Sequence, residues 1–156
     1  MTTQDSPTPG TQTIPAPVAE QARYKQLTSA QVKALKATPI TIVPAPGAGF
    51  AIVPTAVHIY VDYGGTNAFT ESADDLSIGY ATGAELKEIE STGLIDQTND
   101  EWRYITFEYD ETFIPEDNKA VVLTNLDDEI AGNAGANNTL SIVIFYRIVP
   151  IGAFAA

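Results

Sequence analysis

Carboxylates make up most of the reactive side chains in this sequence. There are twenty Asp and Glu residues against eight Lys and Arg, one histidine and no cysteine. Several acids are adjacent: Asp74 with Asp75, Asp110 with Glu111, and the run Asp127, Asp128, Glu129. Glycoside hydrolysis needs two carboxylates facing each other across a cleft, often beside aromatic platforms, and Trp102 and Tyr104 lie close in sequence to Glu108. Neighbouring acids in turns rarely converge on one substrate atom, however, so a solvated acidic surface over core aromatics is the simpler reading. Nucleophilic catalysis has no thiol and no G-x-S-x-G elbow, and His58, alone on a strand, reads as a polar-face or interface residue. Asp127, Asp128 and Asn133 could offer hard oxygen ligands to calcium, but their spacing fits no EF-hand. Gly47-Ala48-Gly49 lacks the Lys-Ser/Thr of a phosphate cradle and reads as turn glycine. The expectation is a non-enzymatic protein with no cofactor and no catalytic residues.

The net charge of −12 argues against nucleic acid as a partner, because phosphate repulsion would dominate. The charge is unevenly spread. Residues 1–40 carry Arg23, Lys25, Lys33 and Lys36 against Asp5 and Glu20, whereas the rest holds four bases and eighteen acids. Without cysteine there is no disulfide framework and no thiolate chemistry. No apolar run approaches the length of a membrane span, and residues 1–12 lack the layout of a signal peptide, so no membrane partner is expected.

These side chains must be positioned by strands. Residues 40–43 form a short β-branched run between Pro39 and Pro44, and Pro46-Gly47 suits a type II turn with positive φ at the glycine. Residues 50–53 then return, Pro54 interrupts, and residues 56–63 alternate. Val57, Ile59, Val61 and Tyr63 fall on one face, with His58, Tyr60 and Asp62 on the other. Further strands are expected at 76–80, 101–109, 120–124 and 139–149, the last apolar on both faces and therefore mid-sheet or against a partner. Residues 83–90 fit either a helical turn or the start of a strand. One helix is expected over 28–37, with Thr28 and Gln31 as a capping box and Leu27 and Val32 as a staple. The fold class is all-β: an antiparallel β-sandwich or jelly-roll-like domain over 27–156, with this one short helix. Residues 1–26 read as an extended, Pro-rich arm that gains order on a partner. Ile14, Pro15, Pro17 and Val18 would supply its contact area, with Arg23, Tyr24, Lys25, Lys33 and Lys36 as the remaining partner-binding residues.

The stretch LTSAQVKALKATPITIVPAPGAGFAIVPTAVHIYVDYGGT resembles small structural proteins of tailed bacteriophages. The pieces DDLSIGY, STGLIDQT, FIPEDNKAVVLTN and TLSIVIFYRIV follow in the same order, so the likeness spans about residues 27–149. The resemblance implies a capsid cement (decoration) protein of cyanophage-like type. Its partners would be the major capsid protein and itself, as a homotrimer, and its location the outer capsid surface of the virion. It would clamp neighbouring major-capsid subunits and so stabilise the head. Two alternatives stand beside it: a tail, neck or fibre adaptor of the same particle, and a carbohydrate-binding β-sandwich module with Trp102, Tyr104 and Tyr60 as stacking platforms.

Overall fold

The structure, a computed structural model, describes residues 19–72, 75–126 and 128–151. It contains β1 (Gln21–Leu27), α1 (Ser29–Lys33), β2 (Ile40–Val43), β3 (Phe50–Asp62), β4 (Phe69–Thr70), β5 (Leu76–Tyr80), β6 (Glu85–Ile89), β7 (Glu101–Thr106), β8 (Val121–Asn125), β9 (Ala131–Gly132) and β10 (Thr139–Pro150). Two four-stranded antiparallel sheets face each other. One has the order β1-β10-β3-β7 and the other β2-β8-β5-β6, while β4 and β9 form a separate small pair. Setting that pair aside, the strands run first, eighth, third, sixth in one sheet and second, seventh, fourth, fifth in the other. First pairs with eighth, second with seventh, third with sixth and fourth with fifth. A long antiparallel ribbon rolled up on itself gives this order, so of the two all-β expectations the topology is the jelly roll.

The roll explains a difference at residues 40–53. The strands on either side of the Pro46-Gly47 turn do not pair with each other; β2 lies beside β8 and β3 beside β10 and β7. Gly47 does have the expected positive φ, 108°, but the loop carries the chain from one sheet to the other. Pro54 does not interrupt β3 either. Register with β10 passes from Phe145 opposite Ala56 to Tyr146 opposite Pro54, leaving Thr55 as the extra residue of a bulge. A proline in a central strand has no N–H for the ladder, and a bulge is where it can be accommodated. The bulge also shifts the phase of alternation, from Ile52 and Pro54 inward to Val57, Ile59 and Val61 inward.

The core lies between the sheets and draws on both, with Val57, Ile59, Leu140, Ile142 and Ile144 meeting Leu76, Ile78, Val121 and Leu123. One end is closed by α1. Thr28 and Gln31 form both halves of the capping box, and Leu27 and Val32 are fully buried, each contributing about 1.5–3 kcal/mol of burial. The helix is shorter than the expected 28–37, and turns continue the chain to residue 37, where the Glu129 carboxylate accepts the backbone N–H groups of Lys36 (3.1 Å) and Ala37 (2.8 Å). The ambiguous segment 83–90 is strand β6, joined to β5 by a turn with Tyr80 N–H donating to the Ala84 carbonyl at 2.9 Å. Gly79 is required there, because a Cβ would sit 2.4 Å from the Ala84 oxygen. The segment expected as an arm ends earlier than residue 26: Gln21–Gln26 lie in β1 and pair residue by residue with β10.

Two phenols bond to β3 around the bulge: the buried Tyr80, on β5, joins the two sheets, and the half-buried Tyr109, just beyond β7, bonds within its own side of the roll. Tyr80 donates to the Ile52 carbonyl and Tyr109 to the Pro54 carbonyl, both at 2.6 Å. Burial pushes the Tyr80 phenol up to about 12 and the Tyr109 phenol higher still. In the unfolded chain both ionise near the ordinary tyrosine value of about 10. The folded state therefore holds protons that the unfolded state releases above that value, and the stability linked to the Tyr80 proton is complete below about pH 10 and lost as pH rises through about 12. Urea denaturation between pH 8 and 12 should show Tyr80→Phe to be less stable by about 1–2 kcal/mol at pH 8. The gap should close towards about pH 12, where the stability linked to the Tyr80 proton is lost; a gap that does not narrow would contradict the assignment.

Candidate functional surface

Most of the described acidic residues are committed within the fold. Asp75 accepts the backbone N–H (2.8 Å) and hydroxyl (3.1 Å) of Ser91, and Glu71 accepts the Thr92 hydroxyl at 2.7 Å. Asp117 accepts the Gly49 N–H at 2.7 Å, Glu85 the Ser77 hydroxyl at 2.7 Å and Glu116 the Thr82 hydroxyl at 2.7 Å. Asp110 closes its own turn on Thr112, whose hydroxyl and backbone N–H hold the carboxyl below the usual carboxylate range. A carboxylate so placed is a fastener for loop donors, and an oxygen holding a backbone N–H is a poor proton donor to a substrate. Glu108 is exposed beyond the end of β7.

The calcium reading loses a ligand. Asn133 is fully buried; its amide nitrogen donates to the Asn67 carbonyl (2.7 Å) and to Asn137 Oδ1 (3.1 Å), and its oxygen accepts the Asn138 N–H at 3.0 Å. Its oxygen points into this network, which joins residues 64–67 to residues 133–138. Asp127 lies outside the described residues, and among those described no group of three or more His, Asp or Glu could hold a metal ion.

The expected partner-binding residues separate into four places. Ile14, Pro15, Pro17 and Val18 lie outside the described residues. On β1, Tyr24 stands opposite Val143 on the outer face of its sheet, while Arg23 and Lys25 stand opposite the buried Ile144 and Ile142 on the other face, exposed because β1 is an edge strand. Lys33 is half-buried, with Nζ donating to the Gly132 carbonyl at 3.0 Å, so it works inside the fold. Lys36 follows α1, near Glu129.

What the structure gathers instead is a cross-strand array on the outer face of the β1-β10-β3-β7 sheet. Tyr24, Val143, His58 and Tyr104 form one row, and Gln26, Ser141, Tyr60 and Trp102 the next. Tyr24 and Trp102 are each 63% exposed, Tyr104 58% and Tyr60 37%. The His58 ring meets Trp102 edge-on at 5.2 Å between centroids and Tyr104 at 6.1 Å. Tyr60 donates to Asp100 Oδ2 at 2.9 Å, and that hydrogen bond, with the nearby charges of Asp100 and Asp62, raises its phenol above the ordinary value. The Tyr24 hydroxyl lies 3.3 Å from that of Ser141. Side chains alternate along β7: Trp102 and Tyr104 are outward and exposed, while Ile105, and Phe107 just beyond the strand, turn inward against the core, a choice of face that packing settles.

No family model matches this chain, and neither does any curated protein. Among solved structures, a chain of the cyanophage Pam1 capsid asymmetric unit is similar, with a TM-score of 0.48 and 15% identity over 94% of this chain and 99% of that chain. A likeness at that level carries no argument about what this chain does.

Asn133→Ala removes three hydrogen bonds at a buried site and leaves the Asn138 N–H and the Asn67 carbonyl without that partner. It should cost about 2–3 kcal/mol in chemical denaturation. The melting temperature of the full chain should be the same in millimolar Ca²⁺ as in EDTA, and a calcium-dependent rise would restore the cation site.

Proposed function

We propose that this protein is a non-enzymatic structural component of a phage particle, a capsid cement protein that binds the outer head surface. In this reading it acts as a homotrimer whose N-terminal arms bridge neighbouring major-capsid subunits and resist the outward pressure of the packaged genome. The observation that carries the reading is how the arm is rooted. All seven residues of β1 pair with β10, a central strand, and the arm leaves from the Gln21 end. A pull along β1 loads the whole antiparallel ladder in shear, so that its hydrogen bonds must break together. A bridging segment needs that kind of anchor. The Pro-rich composition upstream suits a segment that orders on its partner, and Arg23 and Lys25, exposed beside it, can pair with acidic groups on the capsid. The sequence resemblance supports the same reading. Jelly rolls serve both capsid and lectin domains, so the topology alone does not choose.

The test uses heads assembled without this protein. The chain beginning at Ala19 keeps β1 and should stay folded, but bind heads more than about 100-fold more weakly than the full chain. Full-length protein carrying Ile14→Asp and Val18→Asp should fail in the same way. Equal decoration by the shortened chain would refute the arm mechanism, and a copy number near a dozen per particle, in place of hundreds, would point to an adaptor of the tail or neck.

A further inference from the structure

We propose that the outer face of the β1-β10-β3-β7 sheet is a carbohydrate-binding platform, on which the rings of Trp102, Tyr104 and Tyr60 stack against a neutral sugar chain. The inference is separate from the particle reading and does not depend on the arm.

Three observations lead to a sugar. The first is the layout. Adjacent rows are about 7 Å apart along the strands and adjacent strands about 4.8 Å apart, so the two rows place Trp102 and Tyr104 on the β7 edge and Tyr24 on the β1 edge of a strip about 14 Å across. Between them lie the half-buried Ser141 and Val143 and the exposed His58. Flat rings flanked by hydroxyl, amide, imidazole and carboxylate groups suit a pyranose, whose C–H faces stack while its hydroxyls take the hydrogen bonds. Gln26, Ser141, His58, Asp62 and Asp100 are the groups within that strip or at its rim.

The second is preorganisation. The edge-on contacts of His58 hold the Trp102 and Tyr104 rings, and the Asp100 hydrogen bond holds Tyr60. Rings already fixed in place lose little rotamer freedom when a ligand stacks on them.

The third concerns other occupants. Four strands by two rows offer about 270 Å², about a third of the roughly 800 Å² per partner of a standard protein interface, so this face alone would not hold a second copy. Two copies of a chain carrying −12 would also bring like charge together across it, with Asp62 and Asp100 at the contact. The same carboxylates disfavour nucleic acid and anionic lipid. A neutral, hydroxylated ligand meets neither obstacle.

Trp102 is the only tryptophan in the chain, so its fluorescence reports on this face directly. Full-length protein is titrated with cellohexaose, chitohexaose, mannohexaose and a purified bacterial O-antigen polysaccharide. At least one should shift the emission to shorter wavelength, saturably, and reduce acrylamide quenching several-fold. By calorimetry Trp102→Ala should weaken that binding about tenfold or more and Trp102→Phe should keep most of it, as stacking requires. Tyr104→Ala should weaken it in the same direction. All three side-chain changes are on the surface, so melting temperatures should stay close to that of the parent. The proposal is overturned if none of the four probes shifts the emission, if binding survives Trp102→Ala, or if quenching falls with protein concentration alone, which would mark the face as a contact between copies. None of these results would alter head binding through the arm.

Discussion

The closing pair of the roll, β10 against β3, is the interaction on which the rest depends. All the other long ladders except β5 against β8 can be read as tiers of one folded ribbon, and these two contacts, of which β10 against β3 is by far the longer, roll it into two facing sheets. It runs the whole length of β10, from Thr139 opposite Asp62 to Pro150 opposite Phe50. It sends Leu140, Ile142, Ile144 and Tyr146 inward, all buried, and leaves Val143 and Phe145 half-covered on the outside. That is why a strand apolar on both faces is tolerated: its outer side chains are sheltered by neighbouring strands. Because the pairing joins the end of the chain to its third long strand, its loop-closure cost is met late, and folding should be slow for a chain of this size.

Around that ladder the polar chemistry is mostly structural. The bulge at Thr55 lets a proline sit in a central strand, and the Thr55 hydroxyl is hydrogen-bonded to Glu20 and lies 3.2 Å from the Phe145 carbonyl. Tyr80 reaches across from the facing sheet, and Tyr109 from the end of β7, to carbonyls flanking the same irregularity. The carboxylates perform a similar duty in the loops. A strongly acidic composition is thus compatible with an ordered surface, since many of the charges hold backbone or hydroxyl donors and repel one another less than their number implies.

Much of this was legible in the residues. The capping box of Thr28 and Gln31 and the buried row Val57, Ile59 and Val61 follow from short-range rules, and the structure keeps them. What was illegible is non-local. Nothing in Pro46-Gly47 says whether the strands it joins share a sheet. The run AELKEIE fits a helical turn or a strand until Leu76 and Ile78 on β5 offer it a ladder. Arg23 and Lys25 looked like companions of Tyr24, but their opposite side of β1 follows only from the pairing with Ile144 and Ile142. Asn133 looked like an oxygen ligand because sequence cannot reveal that its amide is already occupied by Asn67, Asn137 and Asn138.

The antiparallel register of β1 with β10 gives the domain a polarity. Gln21 stands opposite Tyr146, so the chain enters at the end where β10 finishes, close to Phe50 and Gly49. The loops 63–68 and 133–138 crowd the far end, stitched by asparagine amides. A protein domain fused after Ile151 would therefore sit beside the entering chain, whereas a peptide grafted into the distal loops would project away from it. The two poles are therefore unequal: both ends of the described chain crowd one of them, and the asparagine-stitched loops close the other.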